Sequence, residues 1–533
     1  MKKTSIHPIL IAFFPILTLW ASNLNYITPD KVLRSFGVIF VLSVLLLAVL
    51  RILTRDWLKA GVIASVTLLI LFTYGHLYNT LSDSPSMFFL ARHRYLLPAA
   101  GALWVISIIV FLKYPRILPN AALFLTVVGL ILVAVPSVKV ALFQINAITS
   151  RSISLKSDTV KSVATEGKNP DIYYIILDGY GREDALKEFY HYDNSTFIKS
   201  LEDRGFYVAN TSNANYMETL LSLSSSLNMD YLAEYISRNG GRISDPYLTT
   251  LITNSRLRQV LGEQGYRMVA FQSSFEDLSG ADDFLIPPEP KDSLRQSILS
   301  LNEFETMFVD ATIGKVLLDY YIAQNKDPIL SLKAPYLQHR NRVLFTFEEL
   351  GQIAKRPGKK FVFAHVVAPH PPFVFDRNGD AVNTQKPFSL EDANSFDGTP
   401  EEYIQGYTEQ IQYINELTLT AIDKILANSP KQPIIVIQGD HGPRANIMIG
   451  SLEDSNVKET MPILNAYYFP DQDYSGLYPS ISPVNSFRVI LDKIFGTDYG
   501  LLPDIPYFSV NRDFSFDNSW TSKFKDVSEE LNK

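Results

Sequence analysis

The sequence predicts a membrane-embedded helical region followed by a water-soluble α/β domain with a mostly parallel central sheet. Three observations carry this. Long apolar runs fill the first 143 residues, short β-rich runs alternate with helical stretches from Asn169 onward, and three of those β-rich runs each end on an Asp or a His.

The apolar runs lie at about 6–22, 33–53, 60–79, 96–112 and 121–143. Each approaches the roughly 20 residues that a helix needs to cross a bilayer core. Phe36 to Leu50 carries no charge at all. Lys2 and Lys3 precede the first run in the manner of a signal peptide, but no small-residue cleavage pattern follows it and four more runs do, so a retained helix is expected. Arg51, Arg55 and Lys59 lie between the second and third runs, and Lys113 and Arg116 between the fourth and fifth. With Lys2 and Lys3 these are alternate loops, so the positive-inside rule puts the N-terminus in the cytoplasm and everything after residue 143 outside. Arg92 and Arg94, before the fourth run, weigh the other way. Residues 144–169, with Lys156, Lys161 and Lys168, read as a juxtamembrane linker, either close to lipid headgroups or a solvated tether. The expected division is 1–143 transmembrane, 144–169 linker and 170–533 extracytoplasmic domain.

The chain has 533 residues, 47% apolar and 12% aromatic, with a formal charge of −7. That excludes a disordered chain and gives no electrostatic reason to expect a nucleic-acid partner. There is no cysteine, which excludes disulfides, thiol nucleophiles and cysteine-ligated zinc or iron–sulfur sites.

In the soluble part, Asp171–Leu177 is a short apolar run that stops at Asp178-Gly179. Lys360–Val367 leads into Ala-Pro-His370-Pro-Pro-Phe373, and Pro433–Gln438 into Gly439-Asp440-His441-Gly442. Helical stretches, clearest at about 250–264 and 405–428, separate them, as in a parallel sheet covered on both faces. Functional groups of such sheets collect beyond the carboxyl ends of the strands. Asp178 before Gly179 is also ordinary turn chemistry. The adjacent Asp440 and His441 put a carboxylate and an imidazole side by side, which suits a divalent metal. The segment Asn213–Asn228 follows a short strand candidate, Phe206–Val208, and turns helical around Thr219. A hydroxyl there is either an N-cap or, next to a metal, a nucleophile.

Taken in order, Asp178, Thr219 with Ser222 three residues on, His370-Pro-Pro-Phe373 and Gly439-Asp440-His441-Gly442 resemble the alkaline phosphatase/sulfatase superfamily. Within it the likeness is to the lipoteichoic acid synthase and phosphoethanolamine transferase group, over about residues 170–500. The resemblance implies a sulfatase-like fold and an enzyme using a divalent metal ion (manganese, magnesium or zinc). It assigns Asp178, Thr219, Asp440 and His441 as metal ligands, with Thr219 the nucleophile that becomes phospho-threonine. His370 would bind substrate phosphate or protonate the leaving group. His365 matches the spacing of a histidine pair in the phosphoethanolamine transferases and would help bind a second metal or the substrate; on a strand it is equally read as a core histidine with one internal partner. Arg444 would contact substrate phosphate or be a surface residue.

Formylglycine-dependent sulfatases need a Cys/Ser-x-Pro-x-Arg motif, and the Thr219 segment lacks its Pro and Arg. The implied activity is therefore transfer of a phosphoglycerol or phosphoethanolamine-type headgroup. The donor would be a membrane phospholipid and the acceptor an envelope glycan or lipid hydroxyl, outside a bacterial cytoplasmic membrane. Two alternatives remain: a hydrolase using the same residues with water as acceptor, and a degenerate sensor or scaffold, against which the intact Asp178, Thr219, Asp440 and His441 set counts.

Overall fold

A computed structural model of the chain describes residues 6–24, 27–82, 86–151, 169–238, 241–288, 301–323, 333–382, 386, 388–509, 512–513, 519–521 and 523–532. Lys2, Lys3 and the linker lysines Lys156, Lys161 and Lys168 lie outside the described residues. The chain forms two compact units.

The first unit contains five apolar helices: α1 (His7–Ser22), α2 (Pro29–Thr54), α3 (Trp57–Ser82), α4 (His93–Lys113) and α5 (Leu118–Arg151). They match the five predicted runs. The spans Pro29–Thr54, Trp57–Ser82, His93–Lys113 and Pro115–Ile145 are long and apolar enough to cross a membrane, whereas α1 has 16 residues. At 1.5 Å per residue α1 reaches only about 24 Å, short of a hydrocarbon core of about 30 Å. The helices differ in what they bury. Ala60–Ser65 of α3 lies inside the unit, while Val41 and Leu45 of α2, Ile106 of α4 and Ile131 of α5 are exposed. Outward apolar surface of this kind is what lipid tails would cover.

Two more helices, Glu303–Asp310 and Gly314–Ala323, belong to this unit although the sequence division puts 170–533 in one domain. Phe304 and Phe308 pack with Ile16, Val32 and Phe36 of the apolar helices rather than in an α/β core. Nothing in the local sequence distinguishes an amphipathic helix that covers apolar helices from one that covers a sheet.

The second unit is built on a seven-stranded sheet. Its strands are β1 (Ile172–Leu177), β2 (Tyr207–Val208), β4 (Arg267–Phe271), β5 (Asp283–Leu285), β6 (Lys360–Val366), β7 (Ile434–Gln438) and β8 (Asn465–Tyr468); β3 (Arg242–Ser244) pairs instead with Ser519–Thr521. The order is β2-β8-β7-β1-β6-β4-β5. The pairs β1–β6, β1–β7, β4–β6 and β4–β5 are parallel, and β7–β8 and β2–β8 antiparallel. Every residue of β1, β6 and β7 is buried, as expected of strands covered on both faces. One core layer contains Ile175, Phe347 and Tyr407, the other Tyr174, Phe363 and Phe487.

Two helices depart from expectation. The predicted 250–264 helix is two, Asp245–Thr253 and Arg256–Glu263, because Ser255 leaves helical geometry and its hydroxyl caps the amide of Arg258 at 3.3 Å. The predicted 405–428 helix starts earlier, at Pro400, where Thr399 and Glu402 form a capping box.

Candidate metal and substrate site

Four neighbouring strands deliver the site. In the order β7, β1, β6, β4 their carboxyl ends lead to Asp440 and His441, to Asp178, to His365 and His370, and to Ser273 and Glu276. Gly439 lets the chain turn there: a Cβ on it would stand 2.4 Å from the Tyr180 carbonyl oxygen. The Gly179 amide donates to Asp440 Oδ1 at 3.0 Å, locking the β1 and β7 turns together.

The first cluster is made of electron-pair donors. His441 Nε2 lies 3.4 Å from Asp178 Oδ1, 3.4 Å from Asp440 Oδ2 and 3.2 Å from Thr219 Oγ1. One ligand atom each from Asp178, Asp440 and His441 falls within 4.8 Å of the others, and all three residues are buried. The His441 Nδ1–H donates to the Gly442 carbonyl at 2.8 Å, leaving the Nε2 lone pair facing the carboxylates. Burial, assisted by nearby Arg444, lowers the His441 pKa to about 3, so the ring is neutral near pH 7. Both Asp178 oxygens and Asp440 Oδ2 are buried without a hydrogen-bond partner. Buried carboxylate oxygens facing a neutral imidazole lone pair are costly unless a cation joins them. The residues present therefore fit a divalent ion.

Thr219 is the first residue of the Thr219–Asn228 helix. Glu218 occupies the cap position and makes no capping hydrogen bond. The N-cap alternative for Thr219 is thus not what the structure shows; its hydroxyl meets His441 instead. Ser222, one turn on, donates to the Asp440 carbonyl at 2.7 Å and ties this helix to β7.

His365 has more than one internal partner. Its Nδ1 lies 2.9 Å from both Glu276 oxygens, and its Nε2 is 3.3 Å from Asp178 Oδ2. Burial alone would lower its pKa, yet the flanking Glu276 and Asp178 carboxylates outweigh this and hold it well above the ordinary value.

A second cluster lies beside the first. His370 Nε2 is 3.4 Å from Asp392 Oδ2, Arg444 Nε is 3.7 Å from the same oxygen, and Arg444 Nη1 is 3.4 Å from Glu218 Oε2. The His370 and His441 rings are 6.3 Å apart. Arg444 is buried rather than a surface residue, and its Nε has no hydrogen-bond partner. Burial disfavours the Asp392 carboxylate, but His370 and Arg444 outweigh this and keep its pKa below the usual range.

Comparisons with known proteins identify the family of this domain. The family model described as Sulfatase matches residues 170–479. The chain belongs to the sulfatase family. It is an enzyme of the alkaline phosphatase superfamily, as its ordered motifs implied. Among solved structures it is similar to the zinc-complexed C-terminal periplasmic domain of EptC from Escherichia coli, at 11% identity and a TM-score of 0.41, covering 65% of this chain and 92% of that one. It is also similar to the integral membrane lipooligosaccharide phosphoethanolamine transferase A from Neisseria meningitidis, at 11% identity and a TM-score of 0.38, covering 92% and 95%. A 2-O GAG sulfatase gives 14% identity and a TM-score of 0.38, covering 62% and 72%. No curated protein matches the sequence.

Within this sulfatase-family domain the structure brings together Asp178, Thr219, His365, His370, Asp440, His441 and Arg444, all singled out from sequence. Sequence reasoning missed Glu276 and Asp392. Glu276 had only a weak signal: it lies five residues past the end of β4, whereas Asp178 follows β1 directly. Asp392 had none: it comes from a loop between β6 and the Pro400–Asn428 helix, next to no strand end.

Proposed function

We propose that this sulfatase-family enzyme transfers a phosphoglycerol or phosphoethanolamine-type headgroup from a membrane phospholipid to a glycan or lipid hydroxyl, through a phospho-threonine at Thr219. The observation that carries the reading is the Thr219 hydroxyl, 3.2 Å from His441 Nε2 at the rim of the Asp178–Asp440–His441 cluster, instead of capping its own helix.

Asp178, Asp440, His441 and Thr219 would hold the divalent ion, which when bound supplies positive charge that favours an ionised threonine oxygen and stabilises the phosphoryl oxygens. Thr219 Oγ1 attacks phosphorus and the bond to the diacylglycerol oxygen breaks. His370, whose Nε2 lies 3.4 Å from Asp392 Oδ2, gives that oxygen its proton. Arg444, its charge anchored by Glu218 and Asp392, presents donors to the phosphate. The acceptor hydroxyl then attacks the same phosphorus and gives its proton to the now neutral His370, while the bond from phosphorus to Thr219 Oγ1 breaks and frees the threonine. With α2 to α5 spanning the membrane and the Arg51–Lys59 connection in the cytoplasm, the sulfatase-family domain works outside, where the donor headgroup is displayed.

The test is diacylglycerol release by the full chain in bilayers of labelled phosphatidylglycerol or phosphatidylethanolamine, with divalent metal and a Thr219→Ala control. Release dependent on both metal and Thr219 supports the proposal, and recovery of label on an added glycan rather than in water decides for transfer over hydrolysis. No release from either lipid overturns the donor assignment.

A further inference from the structure

The Glu303–Ala323 hairpin docks on one end of the apolar helices. Phe304, fully buried, and Phe308 pack among Ile16 of α1, Val32 and Phe36 near the start of α2, and Phe72 in the second half of α3. Asn302 donates to the Lys31 carbonyl at 2.9 Å, and Arg34 forms an ion pair with Glu305. The Ile313 amide donates to the Leu71 carbonyl at 2.7 Å and the His76 amide to the Ala311 carbonyl at 3.1 Å. Gly75 permits that approach, since a Cβ there would lie 2.1 Å from the Asp310 carbonyl oxygen. Asn79 bonds Asp310 at 2.8 Å, and His93 at the start of α4 bridges Tyr74 at 2.8 Å and Asp319 at 2.9 Å. The end of α1, the start of α2, the end of α3 and the start of α4 all lie opposite the Arg51–Lys59 connection, on the side that the loop charges place outside.

That end also exposes large apolar side chains. Leu317 and Tyr320, three residues apart on one helix face, are each 57% exposed. Phe88 and Phe89, in the short turn between α3 and α4, are 59% and 53% exposed. Arg92 and Arg94 beside them are exposed too. These two arginines run against the positive-inside rule, and lipid phosphates are groups that a guanidinium can pair with.

We infer that the Gly314–Ala323 helix and the Phe88–Leu90 turn form an interfacial element whose partner is the outer phospholipid surface. Leu317, Tyr320, Phe88 and Phe89 enter the headgroup–acyl boundary, roughly 5–10 Å deep, and Arg92 and Arg94 meet lipid phosphates. The sulfatase-family domain is then joined to the membrane at two places in its sequence, through the segment after α5 and through this hairpin. The inference rests on the proposed membrane-spanning arrangement of α2 to α5.

The cysteine-free chain suits a direct test. Single cysteines replace Leu317, Tyr320 or Phe88, with Val41→Cys on α2 and Asp203→Cys on the sulfatase-family domain as references. Each is spin-labelled in phospholipid nanodiscs, and its collision rates with oxygen and with a water-soluble nickel chelate are compared. The expected ranking puts the labels at 317, 320 and 88 between Val41, lipid-buried, and Asp203, aqueous. Labels at 317 and 320 as chelate-accessible as the one at 203, with 41 still lipid-buried, overturn the inference alone. An aqueous label at 41 overturns the spanning arrangement and the inference with it.

Discussion

The two halves of the site are built on opposite electrostatic plans. Around Asp178, Asp440, His441 and Thr219 the side chains offer electron pairs, and three buried carboxylate oxygens have no hydrogen-bond partner. Around Asp392, His370, Arg444 and Glu218 two carboxylates instead face a guanidinium and an imidazole at 3.4–3.7 Å. The first half is incomplete as protein alone and suits a cation. In the second, Asp392 Oδ2 also lacks a hydrogen bond, but it faces a buried guanidinium whose Nε is likewise unbonded, and that cation suits an anion. A phosphodiester needs both, one to raise the nucleophile and the other to hold the phosphoryl oxygens.

Several changes would sharpen or break this contrast. The largest effect is expected from Thr219→Ala, which removes the nucleophile and should lower diacylglycerol release by about 10⁴-fold or more while bound metal, measured by elemental analysis, changes little. Equal loss of metal would make Thr219 chiefly a ligand. Next, the paired variants Asp392→Asn and Asp440→Asn should behave oppositely in metal-free protein. Asp392→Asn strips Arg444 of a partner and should cost about 3 kcal/mol in chemical denaturation, whereas Asp440→Asn relieves acceptor crowding, costs little and abolishes the stabilisation by added metal. If both destabilise the metal-free protein alike, the two-plan contrast is wrong.

Arg444→Lys keeps the charge but loses the planar fork, so kcat/KM should fall roughly 10²-fold with metal content unchanged. The smallest effect concerns Glu459, which accepts from Tyr190 at 2.6 Å and from the Asn446 amide at 3.1 Å, bracing the loop after Arg444. Burial raises its pKa from 4.5 to about 7. A raised acid pKa in the folded state means that its stabilising share is complete below pH 4.5 and is lost as pH climbs through about 7. Glu459→Gln should flatten that decline by about 2 kcal/mol between pH 5 and pH 8, read from urea midpoints. An unchanged slope would remove Glu459 from this role.

The five apolar helices and the three strand-end motifs were legible because they depend on local facts. A run of about 20 apolar residues needs a membrane or a large core whatever follows it, and a buried parallel strand must surrender its chain to a turn at its carboxyl end. Asp178, His370, Asp440 and His441 were found at such ends. Thr219 was ambiguous in sequence because capping and catalysis ask for the same hydroxyl at a helix start; the fold gives the cap position to Glu218 and brings the Thr219 hydroxyl to 3.2 Å from His441, 222 residues away.

Tertiary structure decided the rest. Glu276 reaches His365 because β4 lies next to β6, and Asp392 reaches His370 and Arg444 only through the long loop between β6 and the Pro400–Asn428 helix. The Glu303–Ala323 hairpin has the length and pattern of any amphipathic pair, and which apolar surface it covers is fixed by Gly75 and the Phe304 pocket rather than by its own residues. Composition and periodicity report what a segment must bury or expose, whereas the identity of its partner is set by sheet order and helix packing, which join residues hundreds of positions apart.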